Sequence, residues 1–177
     1  MKGIKYIDIT EDMINEKCDK PLESRYVCEY IKVCSDGNII KYDESNAKFD
    51  MRRVNSDELK TINTLREKLG WNILILHRIN MDRVSTPDIK RLQDNEYYDI
   101  KNIYGSESKN SRKEKLLHRV SKQCNNFVFD ITNKECDLSN QEAIEQIIHI
   151  YNKEVFKHVK IIVLIGKKDY IKVYKRK

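Results

Sequence analysis

Two short acidic motifs carry the residues best suited to chemistry. One is Pro87-Asp88; the other is Asp99-Ile100-Lys101, inside the stretch Tyr98 to Asn102. In a strand, residues i and i+2 share a face, so Asp99 and Lys101 project side by side while Ile100 enters the core. If the chain folds back as a hairpin through Leu92 to Glu96, Asp88, ending one strand, arrives beside Asp99. Two carboxylates with an ammonium next to them suit phosphodiester hydrolysis. A hard cation, Mg²⁺ or Mn²⁺, held by one or two carboxylates keeps several waters and accepts phosphate oxygens. It acidifies the attacking water, and Lys101 can position that water or offset negative charge. Both motifs are short, and with 35% of the chain charged an exposed cross-strand ion pair explains Asp99 and Lys101 as well. The elements around them decide between these readings.

The polar, mixed stretch over residues 1–25 reads as a short strand at Ile4 to Ile9 and a loop through Pro21. Tyr26 to Val33 and Asn38 to Tyr42 flank Ser35-Asp36-Gly37, a hairpin signal. Asn55-x-x-Glu58 has capping-box form and opens a helix with Leu59, Ile62, Leu65 and Leu69 as its apolar stripe, closed by Gly70. Strands follow at Trp71 to Leu76, Val84 to Ile89 and Tyr97 to Ile103. A helix to about Cys124 then leads into a strand at Asn126 to Ile131. Ser139-x-x-Glu142 caps a further helix with Ala143, Ile144, Ile147, Ile148, Tyr151 and Val155 on its apolar face. Strands at Val159 to Ile165 and Tyr170 to Tyr174 end the chain. Strand–helix–strand crossovers require parallel pairing, so the expectation is an α/β fold with a mixed central sheet flanked by helices. Residues 1–48 form an N-terminal extension with the β-hairpin, and 49–177 the α/β domain, together one compact unit.

At 177 residues and 40% hydrophobic content, the chain supports one substantial core. No window approaches a membrane span and the start lacks a signal peptide's apolar run, so a cytoplasmic location without membrane contact is expected. The net charge of +6 favours polyanionic partners only mildly. Cys18, Cys28, Cys34, Cys124 and Cys136 never form C-x-x-C, and His77, His118, His149 and His158 share no ligand spacing. Structural zinc and a disulfide framework are not expected.

The order helix, three strands, helix, strand, with the motifs on the second and third strands, resembles the core of PD-(D/E)XK nucleases, the restriction-endonuclease-like fold. The stretches Leu69-Gly70-Trp71-Asn72-Ile73-Leu74-Ile75-Leu76, Thr86-Pro87-Asp88, Tyr98-Asp99-Ile100-Lys101-Asn102 and Ser121-Lys122-Gln123-Cys124-Asn125-Asn126-Phe127-Val128-Phe129-Asp130 look like the C-terminal nuclease domains of contact-dependent growth-inhibition toxins. The similarity covers about residues 50–175. It implies a metal-dependent RNase, often acting on tRNA, with DNA-cleaving relatives. It also implies a cognate immunity or antitoxin protein. Asp99 stands where those domains usually carry Glu, which shortens the carboxylate by one methylene. A related set of toxin domains uses a barnase-like fold that cleaves RNA without metal; two crossovers fit that meander less well.

The helix after the motifs places Arg112, Lys115, Arg119 and Lys122 at steps of three and four, a row able to follow a phosphate backbone or simply a solvated face. Gln123, near its inner edge, is placed to aim its amide at the site or to cap the helix end. Glu58 and Glu67 on the preceding helix are candidates for a further acid. The C-terminal Tyr170, Lys172 and Tyr174 share a strand face compatible with base stacking or with a plain polar surface. The expected catalytic set is therefore Asp88, Asp99, Lys101 and Gln123, with Asp88 and Asp99 as metal ligands. The rival without catalysis is a basic nucleic-acid-binding protein.

Overall fold

The computed structural model describes residues 5–15, 24–27, 30–33, 39–42, 55–76, 87–105, 114–120 and 124–177. Ten strands are assigned among them: β1 (Tyr6–Asp8), β2 (Ser24–Val27), β3 (Tyr30–Val33), β4 (Ile39–Tyr42), β5 (Ile73–Leu76), β6 (Ile89–Arg91), β7 (Tyr97–Asn102), β8 (Asn126–Asp130), β9 (Ile161–Ile165) and β10 (Ile171–Arg176). The helices are α1 (Thr10–Asn15), α2 (Ser56–Leu69) and α3 (Asn140–Asn152), with single 3₁₀ turns at Leu117–Arg119 and Glu154–Phe156.

Eight strands form one open mixed sheet in the order β1-β10-β9-β8-β7-β6-β5-β2, and β3 pairs with β4 in a separate antiparallel ribbon. The centre is parallel: β7 with β8, and β8 with β9. Antiparallel strands flank it on each side, β5-β6-β7 on one and β9-β10-β1 on the other. Both edge strands of the large sheet come from the first 27 residues, β1 against β10 and β2 parallel to β5. The N-terminal stretch thus contributes to the same sheet as the rest of the chain.

Two apolar layers sandwich the sheet. On one face Ile62, Leu65 and Leu69 of α2 and Met13 of α1 pack on Trp71, Ile73, Ile75, Ile89, Tyr98, Ile100 and Val128. On the other, Ala143, Ile147, Ile150 and Tyr151 of α3 join Leu116, Leu117 and Cys124 over Phe127, Phe129, Ile162 and Leu164. The described apolar residues of both parallel crossovers, β7 to β8 and β8 to β9, pack on this second face, as crossovers of one hand require.

The helix ends follow local chemistry. Asn55 accepts from the Glu58 N–H at 2.8 Å, Asp57 and Glu58 occupy the first turn of α2, Arg66 and Lys68 the last, and Gly70 closes it in the left-handed region at φ 63°. Ser139 and Glu142 form the reciprocal capping box of α3.

Several expectations change. Leu59 faces outward, 44% exposed; Ile62 and Leu65 set the buried stripe instead. Val155 lies past the end of α3 in the second 3₁₀ turn and is exposed, while Gln146 takes a buried place. The loop expected after residue 9 holds α1, capped by Asp8, which accepts from the Thr10 N–H and hydroxyl. The long helix expected before Cys124 is, within 114–120, a turn and one 3₁₀ turn ending in extended Val120. The strand carrying Pro87-Asp88 starts after the motif, at Ile89; residues 84–86 lie outside the described residues. The hairpin loop at 35–37 lies outside them as well. No helix among the described residues is long and apolar enough to cross a membrane.

Candidate functional site

The β6–β7 hairpin assembles the site. Arg91 N–H donates to the Glu96 carbonyl at 2.8 Å, and Asp94 Oδ1 accepts from the Glu96 N–H at 3.0 Å. Asn95 takes the left-handed conformation that closes the turn, at φ 60°. The register that follows, Lys90 with Tyr97 and Ile89 with Tyr98, sets Asp88 opposite Asp99 when continued by one residue.

Pro87 has no N–H to give a ladder, and Asp88 is fastened by other means. Its N–H donates to the Tyr98 carbonyl at 3.1 Å, its carbonyl accepts from the Leu76 N–H at 2.9 Å, and its Oδ2 accepts from the Ile100 N–H at 2.7 Å. The Asp88 side chain therefore substitutes for backbone in holding β7. Its carboxyl is also within hydrogen-bonding reach of the Asp99 carboxyl.

Both carboxyl groups are buried, Asp88 and Asp99 being 7% and 6% exposed. Burial first, and the neighbouring Asp88 charge second, push Asp99 up from 3.8 to about 7, against the opposing pull of Lys101. Lys101 Nζ lies 2.7 Å from Asp99 Oδ2, and its side chain is 27% exposed, so the ammonium bridges the buried pair and solvent. Cys124 lies close enough for both carboxylates to act on it, but burial holds its thiol up at about 12, which rules out a ready thiolate. Its Sγ donates to the Tyr97 carbonyl at 3.3 Å.

Strand alternation sorts the neighbours by face. Tyr98 and Ile100 point into the layer under α2, so Tyr97, Asp99 and Lys101 point to the other side. Tyr97 packs there against the second core, and Lys90 Nζ sits 5.1 Å above its ring. Asp88, Lys90, Tyr97, Asp99 and Lys101 thus share one face. Lys90 was missed in the sequence reading, although the signal was present: Asp88-Ile89-Lys90 repeats Asp99-Ile100-Lys101.

The structure brings Asp88, Asp99 and Lys101 together. Gln123, Arg112 and Lys122 lie outside the described residues. Lys115 is buried, with Nζ donating to the Gly105 carbonyl and lying 3.3 Å from Asp137, so it braces a loop instead of joining a solvated row. Arg119 is exposed on the 3₁₀ turn. Glu67 is exposed, and Glu58 is half-buried on α2, across the sheet from the carboxylate pair. Among the described residues no group of three or more His, Cys, Asp or Glu is arranged to hold a metal ion. The C-terminal aromatic face is structural: Tyr174 meets Tyr6 edge-on and its carbonyl accepts from Tyr151, while Lys172 pairs with Asp8 at 2.8 Å.

No protein-family model matches the chain, and no curated protein matches it. Among solved structures there is a distant, partial likeness to the CdiA-CT/CdiI toxin and immunity complex from Burkholderia pseudomallei. It has 16% identity and a TM-score of 0.41, and covers 73% of this chain and 97% of that one.

Proposed function

We propose that the chain is a metal-dependent nuclease that hydrolyses phosphodiester bonds in RNA, tRNA first, with DNA as the second substrate. The observation that carries this reading is the pair of buried carboxyl groups, Asp88 opposite Asp99, with Lys101 at 2.7 Å from one of them. Burying two acids against each other is costly. A fold that nevertheless keeps them beside an accessible ammonium is arranged for a cation and a polyanion.

Element order supports the same reading. A helix, three antiparallel strands, a crossover and a parallel strand occur in that order, with the acids beside the second strand and on the third, as a restriction-endonuclease-like plan would require. The toxin-like role, and with it a cognate immunity protein, rests on the sequence motifs alone.

Asp88 and Asp99 would hold Mg²⁺ or Mn²⁺. The donor set fits a hard cation, which takes one or two carboxylates and fills its remaining positions with water and substrate oxygens. Bound there, the cation would supply charge neutralisation on the phosphate and a more acidic water. The chain's own residues do the rest. Asp88, locked by the Ile100 N–H, keeps its carboxylate fixed on β7. Lys101 holds Asp99 in orientation and presents a positive charge where charge develops on the phosphate oxygens. The dry floor of Phe127, Phe129 and Cys124 strengthens these interactions.

Incubating the purified protein with total tRNA and with plasmid DNA, in Mg²⁺, Mn²⁺ or EDTA, tests the proposal. Cleavage that requires metal is the expected result. Cleavage undiminished by EDTA points to metal-independent RNase chemistry, and salt-sensitive binding without cleavage to a binding protein.

A further inference from the structure

On the face of the sheet under α1 and α2, opposite the one that Asp99 and Lys101 share, β1, β10 and β9 carry a transverse row: Ile7 beside Lys175 beside Ile161. With Ile9 and Met13 the row lines a groove of about 650 Å³ that reaches the β6–β7 turn, well within the roughly 300–1,000 Å³ of small-ligand sites. The aliphatic residues make an apolar floor, and the charges over it are segregated. Lys160 and Lys175 line the groove at the β9–β10 end, and Asp12 lines it from α1. All three are exposed, and among the described residues none of the three side chains has a hydrogen-bond or ion-pair partner. The groups at the turn are engaged already, Arg91 with Asp94 and Glu96 with the Asn126 amide. Past the groove, exposed Lys5 and Lys177 continue the ladder, the Lys177 N–H donating to the Lys5 carbonyl at 3.0 Å. Like charges facing each other across a ladder are unfavourable, and an anion bound at this corner relieves that cost.

We propose that this groove binds a nucleotide with an amino-bearing base, free or as one unit of a strand. Lys160 and Lys175 take the phosphate, whose several charged oxygens suit two ammonium groups. The stem of Lys175 rises between Ile7 and Ile161, so it adds apolar surface while its charge stays in water. The base lies against Ile9, Met13 and Ile161 and sheds apolar surface there. Asp12 accepts from the exocyclic amine, as carboxylates do from cytosine N4. This site shares no residue with the carboxylate pair across the sheet, and so stands apart from the nuclease reading.

Methyl NMR of the full chain in EDTA tests this, with 5′-CMP, 5′-UMP, cytidine and a 5′-phosphorylated RNA hexamer titrated into wild type, Lys175→Met and Asp12→Asn. Saturable shifts at Ile7, Met13 and Ile161 are expected. CMP should bind about tenfold or more tightly than cytidine, the worth of a charge-assisted contact. Lys175→Met should remove most of that advantage, and Asp12→Asn should erase the preference for CMP over UMP. Shifts with CMP assign the groove to a free nucleotide, and shifts with the hexamer alone assign it to a nucleotide within a strand. Absence of saturable shifts with both, or cytidine binding as tightly as CMP, overturns the proposal. So does unchanged CMP affinity in folded Lys175→Met. Should a variant fail to fold, the comparison of CMP with cytidine on wild-type protein still decides. Cleavage enters none of these readouts, so loss of the nuclease reading would leave the result standing.

Discussion

Asp99 titrates near 3.8 in an unfolded chain and at about 7 in the fold. Between those values the folded protein keeps a proton that the unfolded chain has lost, so stability falls as pH rises from about 4 to about 7 and stays lower above. Asp99→Asn removes that penalty. Its expected effect is a gain of about 1–3 kcal/mol at pH 8, vanishing below pH 4, read by denaturant unfolding at both pH values. A variant less stable than wild type at pH 8 would mean that the Lys101 contact outweighs the burial. On the proposed reading, the same protonation state would make metal binding release protons. Calorimetric titration of Mn²⁺ at pH 6.5 in two buffers of different ionisation enthalpy should report a fraction of a proton released per ion, falling towards zero at pH 8.5. The juxtaposition of Asp88, Asp99 and Lys101 was legible in the sequence because strand alternation fixes Asp99 and Lys101 and a hairpin brings Asp88 across. The direct bond from the Ile100 N–H to the Asp88 carboxylate was not, because it depends on where the β6 ladder stops.

At the scale of elements, caps and turns were the most readable features. Asn55, Gly70, Ser139 and Glu142 act through bonds within a few residues, so the sequence contains nearly everything they need. Asn55→Ala should cost about 1 kcal/mol. Gly70→Ala, which forces a Cβ into φ 63°, should cost a similar amount; thermal unfolding reads both. Segment 114–120 was harder to read. Its spacing of Leu116, Leu117 and Val120 fits a helix, but the Leu116 N–H donates to Gln146 of α3 at 2.8 Å and Lys115 turns inward to Asp137. Tertiary partners at those two residues override the local pattern, and the basic row loses Lys115 as a consequence. Thr61 shows the same long-range dependence. Its hydroxyl lies 2.6 Å from Asp130 Oδ2 and 2.9 Å from Asn102 Oδ1, tying α2 to the ends of β7 and β8. Thr61→Val leaves buried polar atoms short of a partner and should cost about 1–3 kcal/mol.

For the whole molecule, the mixed α/β architecture followed from the alternation of apolar runs and capped helices, while the sheet's edges did not. β1 and β2 are three and four residues long, too short for a periodic signal, and each pairs with a strand far away in sequence. Arg176 is equally remote from its partners: it donates to the carbonyls of Val159, Tyr151 and Phe156 at 2.8–2.9 Å, closing the end of the sheet over α3. Deleting residues 1–15 should uncover Val173 and the β10 edge and lower the thermal midpoint, read by calorimetry, since β1 and α1 cover both. The central claim concerns the hairpin at the middle of this sheet, and one comparison tests it most directly: the initial rate of tRNA cleavage in Mg²⁺ by wild-type protein and by folded Asp99→Asn. The account predicts measurable cleavage by the wild type and a loss of about a hundredfold or more in the variant. Equal rates would contradict it and move the chemistry away from the carboxylate pair.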